Sequence, residues 1–226
     1  MFCTKCGSQV GSDVKFCPIC GSELGGELPA ATPWTAPPGI TAQTGKWISE
    51  GWRIVMDDLG IFMLLALVFV FLSGVPLIYG PLMAGFHIYC MKRMMGKQAE
   101  FGDLFKGFNY FVPTLVASLL IGLFVFGGTL LCIIPGLVVA AVYKFTYLFI
   151  VDKKMDFWPA MQSSHAVAKN DYFGFTIFLL ALAGIDILGA LLCVVGLLIA
   201  MPLTVAAITC AYRDIVGFDE RSVESL

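Results

Sequence analysis

The chain has 226 residues, of which 58% are hydrophobic and only 13% are Asp, Glu, Lys or Arg; its mean hydropathy is +0.86. An ordinary soluble domain carries about 25% charged residues, and a soluble globule of this size cannot hide so much apolar surface. A soluble enzyme and a disordered chain are therefore excluded, and a net charge of −2 argues against a nucleic-acid footprint.

The N-terminus opens on a cysteine cluster. Cys3-Thr4-Lys5-Cys6-Gly7 is followed, ten residues on, by Cys17-Pro18-Ile19-Cys20-Gly21. Two CxxC pairs can wrap one tetrahedral Zn2+ with four thiolates, and the glycine after each pair suits a tight turn whose amides point at sulfur. Cys3, Cys6, Cys17 and Cys20 are thus the candidate metal ligands. Four thiolates close the coordination shell, so the site is expected to be structural. A rubredoxin-like iron centre uses the same ligands, and a disulfide pair would need an oxidising compartment; zinc is the preferred reading. With so small a core, metal binding must supply most of the folding free energy of residues 1–24. Residues 25–45 are rich in Pro, Gly, Ala and Thr and read as a linker.

The remainder is organised by where charge is missing. Residues 59–91 contain no Asp, Glu, Lys or Arg, residues 107–151 contain only Lys144, and residues 172–212 contain only Asp186. A helix needs about 20 apolar residues to cross the hydrocarbon core, so the two longer blocks fit two crossings each. If the first block is also a hairpin, 13 of the 14 basic residues fall on one side, which the positive-inside rule makes the cytoplasm. Six spans with both termini inside are expected, the first hairpin shallow, kinked or tilted. Outer turns are expected at Ser73-Gly74-Val75-Pro76, Gly127-Gly128 and Cys193-Val194-Val195-Gly196. Nothing at the N-terminus reads as a cleavable signal peptide.

Each hairpin is preceded by a segment with apolar residues at helical spacing: Ile48, Trp52, Val55, Met56 and Leu59; Phe101, Leu104, Phe105, Phe108 and Val112; Trp158, Met161, His165, Ala168 and Tyr172. Such stripes predict helices lying in the headgroup plane, apolar face down. The second helix of each hairpin carries a proline near its start: Pro81, Pro135 and Pro202. The fold class expected is an all-α polytopic membrane protein built from three repeats of interfacial helix plus hairpin, residues 46–215, with a zinc ribbon before it and a cytoplasmic tail at 216–226.

Three ionisable groups fall inside the apolar blocks: His87, Lys144 and Asp186. Intramembrane ionisable groups are functional candidates by default. Lys144 can snorkel part-way to the cytoplasmic surface. Asp186 has three readings: a pair with Lys144, a helix cap beside Gly184, or a place in an ion or proton path. His87 reads equally as a hydrogen-bonding group, and His165 as a half-buried neutral side chain on its interfacial stripe. Cys90, Cys132, Cys193 and Cys210 read as small hydrophobes, with Cys132 and Cys193 both toward the outer side. Small residues such as Gly80, Gly85, Gly184, Gly189, Gly196 and Ala207 predict close helix approach. No GxSxG, HExxH or Walker loop is present, so no enzymatic activity is expected.

The Cys3-to-Leu24 segment resembles the short zinc ribbons that begin many prokaryotic membrane proteins. The membrane part, through Asp103-Leu104-Phe105-Lys106-Gly107-Phe108, Ile133-Ile134-Pro135-Gly136, Tyr143 to Asp152, Trp158-Pro159-Ala160 with Ser164 and Lys169-Asn170, and Pro202 to Tyr212-Arg213-Asp214, resembles an uncharacterised six-span bacterial family. That family also supplies the non-catalytic membrane domain of some glycerophosphodiester phosphodiesterases. His165 stands where an aromatic residue is expected. The resemblance implies a multi-pass protein of the prokaryotic cytoplasmic membrane and transfers no catalytic residue. The functional expectation is a non-enzymatic scaffold or assembly factor in contact with membrane lipids, whose ribbon meets a cytoplasmic protein and which can form homo-oligomers; no nucleic-acid partner is expected. The alternatives are a channel or small-solute transporter and an intramembrane lipid enzyme.

Overall fold

The computed structural model describes residues 33–37 and 39–219; the four candidate zinc ligands lie outside them. The chain separates into two compact units, Met1–Thr32 and Pro33–Leu226. Among the described residues of the second unit every regular element is helical: α1 (Thr44–Asp57), α2 (Leu59–Leu72), α3 (Pro76–Met94), α4 (Asp103–Lys106), a 3-10 turn at Gly107–Tyr110, α5 (Phe111–Leu131), α6 (Ile133–Val142), α7 (Thr146–Asp152), α8 (Phe157–Ala168), α9 (Tyr172–Leu191) and α10 (Cys193–Ile215).

By length and composition four helical stretches can cross a membrane, at Asp103–Leu131, Ile134–Asp152, Tyr172–Leu191 and Val195–Ile215, or five if the bent pair α1–α2 is one span. Two expected spans differ for different reasons. Helix α2 has only 14 residues, about 21 Å at the helical rise, against roughly 30 Å of hydrocarbon. Helix α3 has 19 residues but includes Gly80, Pro81, Gly85, His87, Lys92 and Arg93. It tolerates them because it is wrapped by protein: Leu82, Phe86, His87, Ile88, Tyr89, Cys90 and Met91 are all buried, so its polar atoms find partners without lipid contact.

Helices α3 and α10 occupy the middle. Phe62, Leu65 and Phe69 of α2 pack with Leu82, Phe86 and Tyr89 of α3 and with Val205 and Ala206 of α10. The chain turns by 100° between α1 and α2. At that corner Asp58 accepts a hydrogen bond from Tyr89 Oη at 3.0 Å and pairs with Arg93 at 3.3 Å, so α3 fixes the bend. Elsewhere α1 lies against α10, α4 against α3 and α8 against α7, while α2 packs on α10, α5 on α3 and α9 on α6.

The described ion pairs gather at one end of these helices. Lys92 and Lys106 both hold Asp103, at 2.7 and 2.8 Å. Arg213 reaches Glu50 at 2.5 Å and Lys46 reaches Asp214 at 2.7 Å; the carboxylate of Asp214, by hydrogen bond and charge, holds the Lys46 ammonium above the ordinary lysine range. Asp152 is buried. It accepts from Tyr212 Oη at 2.9 Å and from the Asp219 amide at 2.8 Å.

Two turn expectations are corrected. The middle hairpin turns at Cys132 rather than at Gly127-Gly128, and the last turns at Leu192, just before Cys193. Gly128 is used for close approach instead: a Cβ there would meet the Gly136 backbone. Gly189 and Gly196 face each other in the same way across the last turn. The first turn falls between Leu72 and Pro76, as expected.

The apolar stripes expected to lie on the bilayer are divided between the protein interior and the outer surface. Helix α1 buries Trp47, Gly51 and Val55 and leaves Trp52 and Met56 exposed. Helix α8 buries Ala160, Met161, Ser163, Ser164 and Val167, while Trp158 and Tyr172 are exposed. His165 is exposed too, not half-buried, and hydrogen-bonds Tyr172 at 2.9 Å. The reason is steric. Small residues sit where a helix approaches its neighbour most closely, since a Cβ at Gly51 would already crowd the Ala207 backbone, while bulky Trp52, Met56 and Trp158 are left on the outer face.

Candidate functional site

The candidate site grows from a break in a long apolar helix. Helix α6 ends at Val142, α7 begins at Thr146, and Tyr143-Lys144-Phe145 form the turn between them. A break in a membrane helix frees backbone groups that lipid cannot satisfy. Ser164 on α8 repairs this one: its Oγ donates to the Val142 carbonyl at 2.6 Å and accepts from the Phe145 amide at 3.2 Å.

The broken segment faces a cavity of about 250 Å3 between α3, α5 and α6–α7, lined by Tyr79, Met83, His87, Ser118, Ile121, Gly122, Val125, Ala140, Tyr143, Lys144, Tyr147 and Ile208. A second pocket of about 210 Å3, lined by Tyr143, Trp158, Met161, Gln162 and His165, shares Tyr143 with it. Trp158, Met161, Gln162 and His165 place that second pocket against α8.

Of the three expected intramembrane groups, His87 and Lys144 line this cavity. His87 is buried, and its Nδ1 lies 2.9 Å from Thr209 Oγ1. The Thr209 hydroxyl donates its one proton to the Val205 carbonyl at 2.8 Å. With that proton on the Val205 carbonyl, Nδ1 is assigned as the donor to Thr209. Asp186 does not line the cavity. No ion pair joins it to Lys144; it accepts from Thr204 Oγ1 at 2.9 Å. It nonetheless lies close enough to interact electrostatically with Lys144 and Tyr79.

The remaining polar lining is unsatisfied by protein. The Lys144 ammonium makes no hydrogen bond or ion pair with any described residue, nor do the hydroxyls of Tyr79, Tyr143 and Tyr147. The Ser118 hydroxyl donates to Leu115 O at 2.8 Å, so it offers the cavity only lone pairs. Sequence reasoning found His87 and Lys144 because charge is conspicuous in an apolar block. It missed the three tyrosines, which read as ordinary members of apolar helices, and Thr209 and Ser164, whose roles depend on partners 122 and 22 residues away.

Among the described residues no group of His, Cys, Asp and Glu is placed to hold a metal, and Cys132 carries a free, exposed thiol. Near the front of the second unit, the Trp34 amide donates to Ser163 Oγ at 2.9 Å and the Ala42 amide to Asp171 Oδ2 at 3.1 Å. The Trp34 ring packs on Phe149.

Residues 2–24 match the zinc-ribbon domain family, a span that contains all four N-terminal cysteines. The chain is also similar to uncharacterised mycobacterial proteins: Rv2560 and MT2637 of Mycobacterium tuberculosis and Mb2590 of Mycobacterium bovis. Each is 31% identical over 134 residues, covering 59% of this chain and 41% of the relative. The chain thus matches less than half the length of these curated relatives. No solved structure matches.

Proposed function

We propose that this chain is a non-enzymatic scaffold of the prokaryotic cytoplasmic membrane, carrying a structural zinc ribbon as its cytoplasmic interaction module. The observation that carries this reading is the seating of residues 33–43. Ser163 and Asp171, both on or beside the third amphipathic helix, hold the chain just before the body. The ribbon, residues 2–24, is separated from Trp34 of this seated segment by nine residues of chain. Its ligands are Cys3, Cys6, Cys17 and Cys20, a closed thiolate set suited to Zn2+.

The body is read as three copies of amphipathic helix plus hairpin, six spans in all, with both termini in the cytoplasm. Support comes from a cyclic pattern of contacts. The amphipathic helix before each hairpin packs on the second helix of the preceding hairpin, and α1 closes the ring on α10. The first helix of each hairpin follows the same rule. Ion pairs at one end support the orientation.

The test is a photoreactive residue in place of Gln9 in cells. An adduct to a separate cytoplasmic protein, lost with Cys17→Ser while the chain still inserts, is expected. Exclusively intrachain adducts would contradict the reading. A second reading, a channel or small-solute transporter, is favoured by the cavity at a broken helix; solute flux into proteoliposomes that disappears with Asp186→Ala would establish it.

A further inference from the structure

We propose that the cavity at the α6–α7 break is a binding site for an oxyanion, a carboxylate or phosphate group. The argument begins with supply and demand for protons. Lys144, Tyr79, Tyr143 and Tyr147 line one cavity, and none of the four side chains gives a hydrogen bond to a described residue. An ammonium and three phenols left without acceptors at membrane depth are costly. An oxyanion is the group that takes several donors at once, and a charged partner makes those bonds the strong kind.

The protein does not supply this acceptor. Asp186, the nearest acid by sequence expectation, is held by Thr204 and forms no ion pair with Lys144. The break itself aims the lysine. A continuous helix would need no help from Ser164, whereas here that side chain ties down both backbone groups flanking the turn. The volume, about 250 Å3, suits a small group rather than a whole lipid. The pocket at Trp158, Gln162 and His165 adjoins the cavity at Tyr143. The anion can be the head of an amphiphile entering from the bilayer or a free anion entering from water. This inference rests on the cavity alone, so the scaffold reading can fail without it.

Two probes on the full chain in maltoside micelles test it: inorganic phosphate by calorimetry, and a diazirine analogue of palmitate by photo-labelling with peptide mapping. The expected result is binding of at least one. A photo-label is expected in residues 118–125 or 143–147, competed by palmitate but not by hexadecanol. Lys144→Gln should weaken binding about tenfold or more, as for loss of a hydrogen bond to a charged group, and Lys144→Arg should restore most of it. Asp186→Asn should leave binding unchanged or tighten it. Phosphate alone binding identifies a soluble anion; palmitate alone identifies an amphiphile. Three results overturn the proposal: neither probe binding, hexadecanol competing as well as palmitate, or a folded Lys144→Gln binding as wild type. The alcohol control needs no variant, so the test survives a substitution that does not fold.

Discussion

Ser164 illustrates how single side chains decide this structure. Its hydroxyl is the partner of the Val142 carbonyl and the Phe145 amide, both buried beside a helix break. Ser164→Ala removes the repair without changing size much, and an unsatisfied buried group costs about 1–3 kcal/mol. A lower thermal midpoint is expected, with faster amide exchange confined to residues 143–147; an unchanged midpoint and exchange pattern would show that the turn needs no support. Nothing in the sequence announces Ser164. A serine among small residues on a helix has no local signature, and its function exists only because the chain breaks 20 residues earlier. His87 was visible because histidine is rare in an apolar block, but its tautomer is set by Thr209, which donates elsewhere.

At the level of the helix, glycine marks where elements touch. A Cβ on Gly85 would collide with the Leu104 carbonyl, and one on Gly107 with the Pro81 carbonyl, whereas a Cβ on Gly184 meets nothing within 4 Å. Gly85→Ala is therefore expected to lower unfolding stability by about 1–3 kcal/mol, the range for overpacking. Gly184→Ala should leave it unchanged or raise it by up to about 1 kcal/mol through helix propensity. Equal effects in a denaturant titration would refute the crossing of α3 over α4. Periodicity located the apolar stripes, including Trp52, Met56 and Trp158 on the outer surface, but not the faces turned to the protein. It weighs hydrophobicity, whereas the buried faces mix large side chains with small ones: Trp47, Gly51 and Val55 on α1, and Ala160, Met161, Ser163, Ser164, Val167 and Ala168 on α8. Likewise Gly128 read as a turn and serves as a contact. Charge-free length, by contrast, located α5, α9 and α10 well, because hydrocarbon thickness sets a lower bound that sequence must meet.

On the scale of the molecule, the chain comprises two units with different sources of stability. Residues 2–24 match a zinc-ribbon domain, for which metal binding is the proposed source of folding free energy; the helical unit depends on packing. Cys17→Ser, or removal of zinc by chelation, is expected to abolish one bound zinc per chain while shifting the stability of the helical unit by less than about 0.5 kcal/mol, as for a unit held by its own packing. Elemental analysis and a melting curve on the same sample check both halves, and a wild-type protein without zinc would refute the metal assignment. The six-span arrangement is the claim on which the cytoplasmic ribbon, the charged face and the depth of Lys144 all depend. Side-specific labelling with an impermeant maleimide tests it most directly, in spheroplasts, using the native exposed thiol of Cys132 and single substitutions Gly74→Cys, Lys97→Cys and Asp156→Cys. The account predicts that positions 74 and 132 react from outside and that 97 and 156 react only after the membrane is opened. Labelling of position 97 from outside, or of 74 from inside, would show that the first hairpin does not cross as described and would contradict it.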